Sequence, residues 1–372
     1  MNLRLAAAAL ALLCAACSSP SGPKPAELPR LEHEARVRAL WSARTGGADR
    51  FVFTPALVDG SVYSAARDGT VTRLEAASGR TLWSVSAGNR LSGGVGADAR
   101  SVAVANEDGE IIVLDAENGR RRWSARVPSE VIAAPAVGAD LVLVRSIDNR
   151  LSAFGAQDGK RRWVYQRAPS SLIIRAPAGV TIQGDTAFAG FAGGKLTAIA
   201  LSNGAVRWEA TVALPKGGTE LERVTDVVGD PAMQGREVCA ATYQGRVGCY
   251  EAATGRQVWA RDISSLTGVS LDARYAFVSD DRGAVQAFDR TNGRSVWKQD
   301  KLAHRQLSLP QPFGEFVAVG DLEGYVHFLA RDTGAFVARY ATNGGAVRAA
   351  PTAVPGALLV QTQNGALHAL AL

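Results

Sequence analysis

Side chains that carry chemistry are scarce in this 372-residue chain, which has four histidines, four cysteines and two methionines. No GxSxG, HExxH or Walker-type glycine loop occurs, so hydrolase and nucleotidase chemistry has no motif to rest on. Aromatic residues are only 7% and charged residues 20%, while hydrophobic residues reach 47%. That balance excludes global disorder and supports a large core. With 39 glycines against so few aromatics, a β protein rich in tight turns fits better than a helical one. The net charge of +6 comes from basic residues dispersed along the chain, so a nucleic-acid partner is not indicated.

Long apolar runs are missing as well. The stretch Leu5–Leu13 is too short to span a bilayer, yet with Arg4 before it and small residues after it, residues 1–16 read as an export signal. Ala15, Ala16 and Cys17 resemble the lipobox of bacterial lipoproteins, with Cys14 where that motif usually has Leu. The resemblance implies that Cys17 is acylated and becomes the mature N-terminus. Residues 17–35 then form a lipidated, flexible linker, and Ser18 after the cysteine implies sorting to the outer membrane, with the body in the periplasm.

What is present is a repeat. A turn, a strand, a second turn and a tryptophan recur in DGTVTRLEAASGRTLW ending at Trp83, DGEIIVLDAENGRRRW at Trp123 and DNRLSAFGAQDGKRRW at Trp163. The pattern continues to Trp208, Trp259 and Trp297, and the next copy has Ala338 in the tryptophan slot. The chain stops inside an eighth copy that lacks its last strand, whereas residues 37–42 around Trp41 look like a last strand with no copy before it. Joining the two closes a ring. Residues 36–372 then form an all-β, eight-bladed β-propeller with about 42 residues per four-stranded blade, the N-terminal strand completing the C-terminal blade. Pro55, Pro135, Pro177, Pro231 and Pro351 mark first strands, and the third strands are expected to be half-buried.

Within that frame the remaining candidates have structural readings. His327 and His368 follow Gly324 and Gly365 by three residues and share one slot of adjacent blades, but no third metal-type ligand recurs there. No metal and no cofactor is expected. The runs Arg120–Arg122 and Lys160–Arg162 read as solvated edges. Cys239 and Cys249 flank the turn at Gln244-Gly245; a disulfide forms if a three-residue loop aligns them, and a two-residue turn puts them on opposite faces. Irregularity points elsewhere: the intervals Trp163–Trp208 and Trp208–Trp259 span 45 and 51 residues against 38 to 42 for the others. The extra residues fall in QRAPSSLIIRAPAG and ATVALPKGGTELERVTDVVGDP, two adjacent connections on one face. Exposed apolar residues beside charge in such loops mark a partner contact.

The stretches SLIIRAP, TELERVTDV, HRQLSLP and GDLEGYVHFLARDTGAFVAR resemble the BamB family, lipoprotein subunits of the outer-membrane β-barrel assembly machine. The resemblance covers residues 17–372. It implies a scaffold without enzymatic activity that binds the periplasmic POTRA domains of the central barrel subunit and assists insertion of β-barrel proteins. It further implies one copy within a hetero-oligomeric complex, indirect contact with the other lipoproteins, attachment to the membrane through the lipid alone, and unfolded outer-membrane proteins as a further class of ligand. The family's contact loop falls on Leu172, Ile174 and Arg175, and its acidic loop on Asp226, with Val228 at the second acidic position. Leu172 and Ile174 are expected as apolar anchors, Arg175 as a charged contact, and Asp226 either as a partner contact or as a brace for Arg175. Two other readings share the repeat: a quinoprotein dehydrogenase holding a quinone and Ca²⁺, whose frequent adjacent Cys-Cys pair is absent here, and a general periplasmic protein-binding propeller.

Overall fold

The computed structural model describes residues 23–31, 35–88, 90–168, 172–342 and 344–372. The export signal and Cys17 lie outside the described residues. Within them, eight four-stranded antiparallel sheets follow one another around a ring, giving the eight-bladed propeller expected from the repeat. Blades 1 to 7 span residues 56–86, 91–126, 136–166, 180–211, 227–262, 270–299 and 311–341. Blade 8 takes three strands from residues 352–371 and its outer strand, Arg38–Arg44, from the other end of the chain. That outer strand pairs antiparallel with Ala366–Ala371, so the ring is closed by a ladder between the two ends of the propeller sequence.

Burial follows position in the blade. Third strands such as Glu110–Asp115 are covered on both faces, because the sheets of neighbouring blades lie against each other. The half-buried pattern expected for third strands belongs instead to the outer strands, as in Arg121–Arg126, where solvent covers one face. Four of the five prolines precede a first strand; Pro231 lies inside Val227–Gln234, where the ladder is broken between Val228 and Ala232 and a missing donor costs nothing.

One contact recurs at the joints between blades. The indole Nε1–H of Trp41, Trp83, Trp123, Trp163, Trp208, Trp259 and Trp297 donates across to a backbone carbonyl of the following blade, at 2.6 to 3.1 Å. The acceptor stands just after the third strand, and the ring covers the glycine of the turn that follows. At Gly255, whose φ is +71°, an added Cβ would sit 2.6 Å from the Trp208 ring. Each tryptophan therefore needs both a turn and a glycine from its neighbour. Ala338 occupies the slot facing blade 8, where no such turn exists because the third and fourth strands belong to opposite ends of the chain. The exception in the repeat is thus a consequence of how the ring closes.

That last seam has a different cover. The described end of the segment expected as a flexible linker lies against the propeller: the Ala35 N–H donates to Val337 O at 2.9 Å, and Ala35 and the following Val37 pack against the buried cluster of Val326, Phe328, Leu358 and Leu370. Elsewhere the two body cysteines stand directly opposite in neighbouring strands, and a disulfide joins Cys239 to Cys249 with a Cα–Cα distance of 4.0 Å. The pairing register places both side chains on one face, buried among Ala241, Val247 and Trp259. His327 and His368 are buried too, and each has a protein partner, Asp321 and Ser42 respectively. Burial pushes both imidazoles below their ordinary range, so they are neutral in the fold.

Two outcomes follow from this packing. In equilibrium denaturation, Trp208→Ala is expected to lose about 3–5 kcal/mol through the cavity it leaves. Trp208→Phe, which strands the Ala252 carbonyl, should lose about 1–2 kcal/mol. Ala338→Trp gains nothing, and a stabilised Ala338→Trp protein would contradict the need of each tryptophan for a turn and a glycine from the next blade. Reduction of the Cys239–Cys249 bridge, which closes a sequence separation of 10, is expected to cost about 2–3 kcal/mol in the same measurement.

Candidate functional site

Connections from the fourth strand of one blade to the first of the next emerge on one face of the ring, together with the turns between second and third strands. The two long connections, residues 167–179 and 212–226, are neighbours on this face. Leu172 is 42% exposed on the first loop, and Leu214 and Leu221 are 64% and 72% exposed on the second. Leu266, in the following connection, extends the apolar surface to a third blade junction. Ile174 is half-buried and turned inward, lining a small cavity beneath the loop with Ile173, Asn149 and Asp226.

Asp226 is the anchor of this arrangement rather than part of its surface. Its side chain is buried, and its carboxylate accepts from the Ile174 N–H at 2.7 Å and from the Gly193 N–H at 3.1 Å. The first bond ties the first long loop to the second. The second ties both to the turn between the second and third strands of blade 4. Burial raises the carboxyl above the ordinary aspartate range, opposed by the two N–H donors and by the nearby Arg145 guanidinium. Arg145, whose own pKa burial pushes down to about 10, stays cationic at neutral pH and lies under the loop, donating to Ala178 O at 3.4 Å. Val228, at the second acidic position, is buried in the first strand of blade 5.

Arg175 is held by a residue from a different loop. Its guanidinium makes a two-pronged pair with Glu130, Nη1 and Nη2 to the two carboxylate oxygens at 2.6 and 2.8 Å. The expected brace, Asp226, does not hold this side chain; it holds the backbone one residue earlier. Glu130 is nearly covered whereas Arg175 is 53% exposed, so a half-solvated pair of this kind contributes at most about 1 kcal/mol to stability. Its effect is on position: it fixes a long side chain on the lip of the face with donors still available to a partner. Beside it, Arg50, Arg67 and Arg90 converge on Glu107, and a cavity of about 430 Å³ opens between Arg50, Phe51, Val52, Ile132, Arg175 and Pro177.

Sequence reading missed Glu130 and the arginines around Glu107, because their connections have ordinary length. The available signal was topological: Glu130 lies in the connection one blade before the contact loop, on the same face. The basic runs at Arg120–Arg122 and Lys160–Arg162 fall at the start of outer strands, at the other end of the blades, where Arg162 pairs with Asp158 at 3.0 Å.

Comparison with known proteins agrees with this architecture. Residues 40–299 match the family described as outer membrane protein assembly factor BamB. Among curated relatives, the BamB assembly factor of Bordetella pertussis is 44% identical over 345 residues, covering 92% of this chain and 89% of that protein. The corresponding factor of Pseudomonas aeruginosa is 44% identical over 366 residues, covering 97% and 96%. The crystal structure of BamB from Moraxella catarrhalis superposes with a TM-score of 0.83 at 25% identity, covering 91% of this chain and 100% of that one. A quinohemoprotein alcohol dehydrogenase from Comamonas testosteroni superposes with a TM-score of 0.71 at 13% identity, over 90% of this chain and 76% of that one, a likeness of fold alone. The resemblance carried by SLIIRAP and the other quoted stretches therefore holds over nearly the whole chain, and the chain belongs to the outer membrane protein assembly factor BamB family.

Proposed function

We propose that this protein is a scaffold lipoprotein of the outer-membrane β-barrel assembly machine, tethered to the outer membrane through Cys17 and facing the periplasm. Its partner is the POTRA region of the central barrel subunit, bound on the loop-bearing face. The family is one of assembly factors, not enzymes, and no step of this reading involves a reaction.

The observation that carries the reading is the bracing of the 172–178 loop. Loops that contact partners gain affinity when their bound shape is already populated, since little ordering entropy is then lost. Here the backbone is tied down by Asp226 and the Arg175 side chain by Glu130, while Leu172, Leu214 and Leu221 remain exposed. Leu172 acts as the outward apolar anchor, Ile174 as the base on which the loop sits, and Arg175 as the charged contact.

Titration calorimetry of the chain lacking only residues 1–17 against the partner's POTRA domains tests this. Arg175→Gln, which keeps a donor for Glu130, is expected to weaken binding at least about tenfold while costing at most about 1 kcal/mol of stability, and undiminished affinity would remove Arg175 from the interface. Asp226→Ala has a different signature: it strands two backbone donors, at about 1–3 kcal/mol each, so both the melting temperature and the affinity should fall. A variant that keeps full affinity despite lost stability would show that the brace has no part in binding.

A further inference from the structure

Two of the quoted stretches, HRQLSLP and GDLEGYVHFLARDTGAFVAR, lie outside the contact loops, and their polar residues meet in one buried network. Arg305 and Asp321 are 2% and 0% exposed and pair through Nε at 2.7 Å; Arg305 also pairs with Glu323. The same Asp321 oxygen, Oδ2, meets His327 Nε2 at 2.9 Å, and Arg339 Nε donates to His327 Nδ1 at 3.3 Å. That last bond leaves Nδ1 as an acceptor and puts the imidazole proton on Nε2, toward Asp321. The chain of contacts runs from one arginine to the other.

Both ends hold the same object. Arg305 Nη1 donates to Ala26 O at 2.8 Å, and Arg339 Nη2 donates to Pro29 O at 3.0 Å. Between these points Leu28 packs against the buried cluster between blades 6 and 7 that includes Trp297, Leu302, Leu307 and Val317, and the Ala26 N–H donates to Ala303 O at 2.9 Å. A buried ion network is a weak source of net stability, but it makes a directional mount whose loss leaves charges unpaired. The N-terminal segment starts at Ala35, beside Val337 at the foot of the last strand of blade 7, and reaches Ala26 at the connection between blades 6 and 7. It therefore crosses the rim and leaves on the face that carries the contact loops.

We infer that residues 26–31 and 35–37 are a docked strap, mounted on Arg305, Asp321, His327 and Arg339, which carries the membrane tether out on the loop-bearing face. The membrane part rests on the anchoring at Cys17 proposed above. Eight residues lie between Cys17 and Ala26, and the nine Cα–Cα steps reach about 30 Å fully extended. The docked strap thus keeps the contact loops near the anchoring leaflet and the opposite turns away from it. Were the strap free, the tether would start at the outer strand of blade 8 and turn either face to the lipid.

Two measurements on the full-length protein test this. Hydrogen exchange in detergent reads docking alone: the Ala26 amide should exchange at least about tenfold more slowly in the wild type than in Leu28→Asp, a change outside the ring, or in Arg305→Ala. A wild-type amide that exchanges as fast as in Leu28→Asp would overturn the strap. Energy transfer to an acceptor lipid, with the acylated protein in phosphatidylethanolamine–phosphatidylglycerol vesicles, reads orientation. A donor at Lys216→Cys on the loop face should transfer more strongly than one at Asn118→Cys on the opposite face, and the difference should be lost in Leu28→Asp. Equal or reversed transfer in a protein with a protected Ala26 would overturn the orientation while leaving the docked strap. A mature protein that carries no acyl group at Cys17 would overturn the anchor reading and the orientation with it, and the exchange result would still decide the docking.

Discussion

The structure depends on an indole that reaches from one blade into the next. A single hydrogen bond of this kind contributes only about 0.5–1.5 kcal/mol net, but each ring also covers a glycine turn and fills the joint between two sheets. The contact repeats at seven joints, so the angle between neighbouring blades is set locally and the ring closes without strain accumulating at one place. The eighth joint, between blades 7 and 8, obeys a different rule. There the tryptophan slot holds Ala338 and the N-terminal segment covers the seam, while the ladder between Arg38–Arg44 and Ala366–Ala371 inside blade 8 closes the ring.

A ring fixed this way leaves its loops free to specialise, because they need not hold the blades together. On the loop-bearing face that freedom is used to build a short, braced segment, the one proposed above as the partner contact. A buried carboxylate fixes its backbone, a glutamate from another blade junction fixes its arginine, and leucines stay exposed around it. The charges differ in what they do. Asp226 is buried and its removal would be felt by the fold, whereas the Arg175–Glu130 pair is half-solvated and its main effect is to position a side chain for a partner. Salt should therefore weaken partner binding more than it weakens the fold.

Much of this was legible in the sequence because one tryptophan per repeat, with a glycine turn before it, encodes both the blade length and the joint. The odd intervals after Trp163 and Trp208 likewise exposed the loops that matter. Features that depend on which face or register a residue takes were not legible. A carboxylate such as Asp226 reads the same whether it faces solvent or two backbone donors, and Glu130 lies in a connection of ordinary length. The alignment of Cys239 with Cys249 turned on a one-residue difference in the hairpin loop. The N-terminal segment was read as free linker because its contacts use the carbonyls of Ala26 and Pro29, which carry no residue identity. The resemblance in HRQLSLP was visible, but the mount those residues build was not.

The central claim is that the braced loops form the face through which this propeller meets the assembly machine. Site-specific photo-crosslinking in living cells tests it most directly, with a photoreactive residue at Leu172 or Leu221 on the loop face and at Asn118 on the opposite turns. The account predicts crosslinks to the periplasmic POTRA region of the barrel subunit from the two leucine positions and none from Asn118. Crosslinks to that region from Asn118, with none from Leu172 or Leu221, would contradict it.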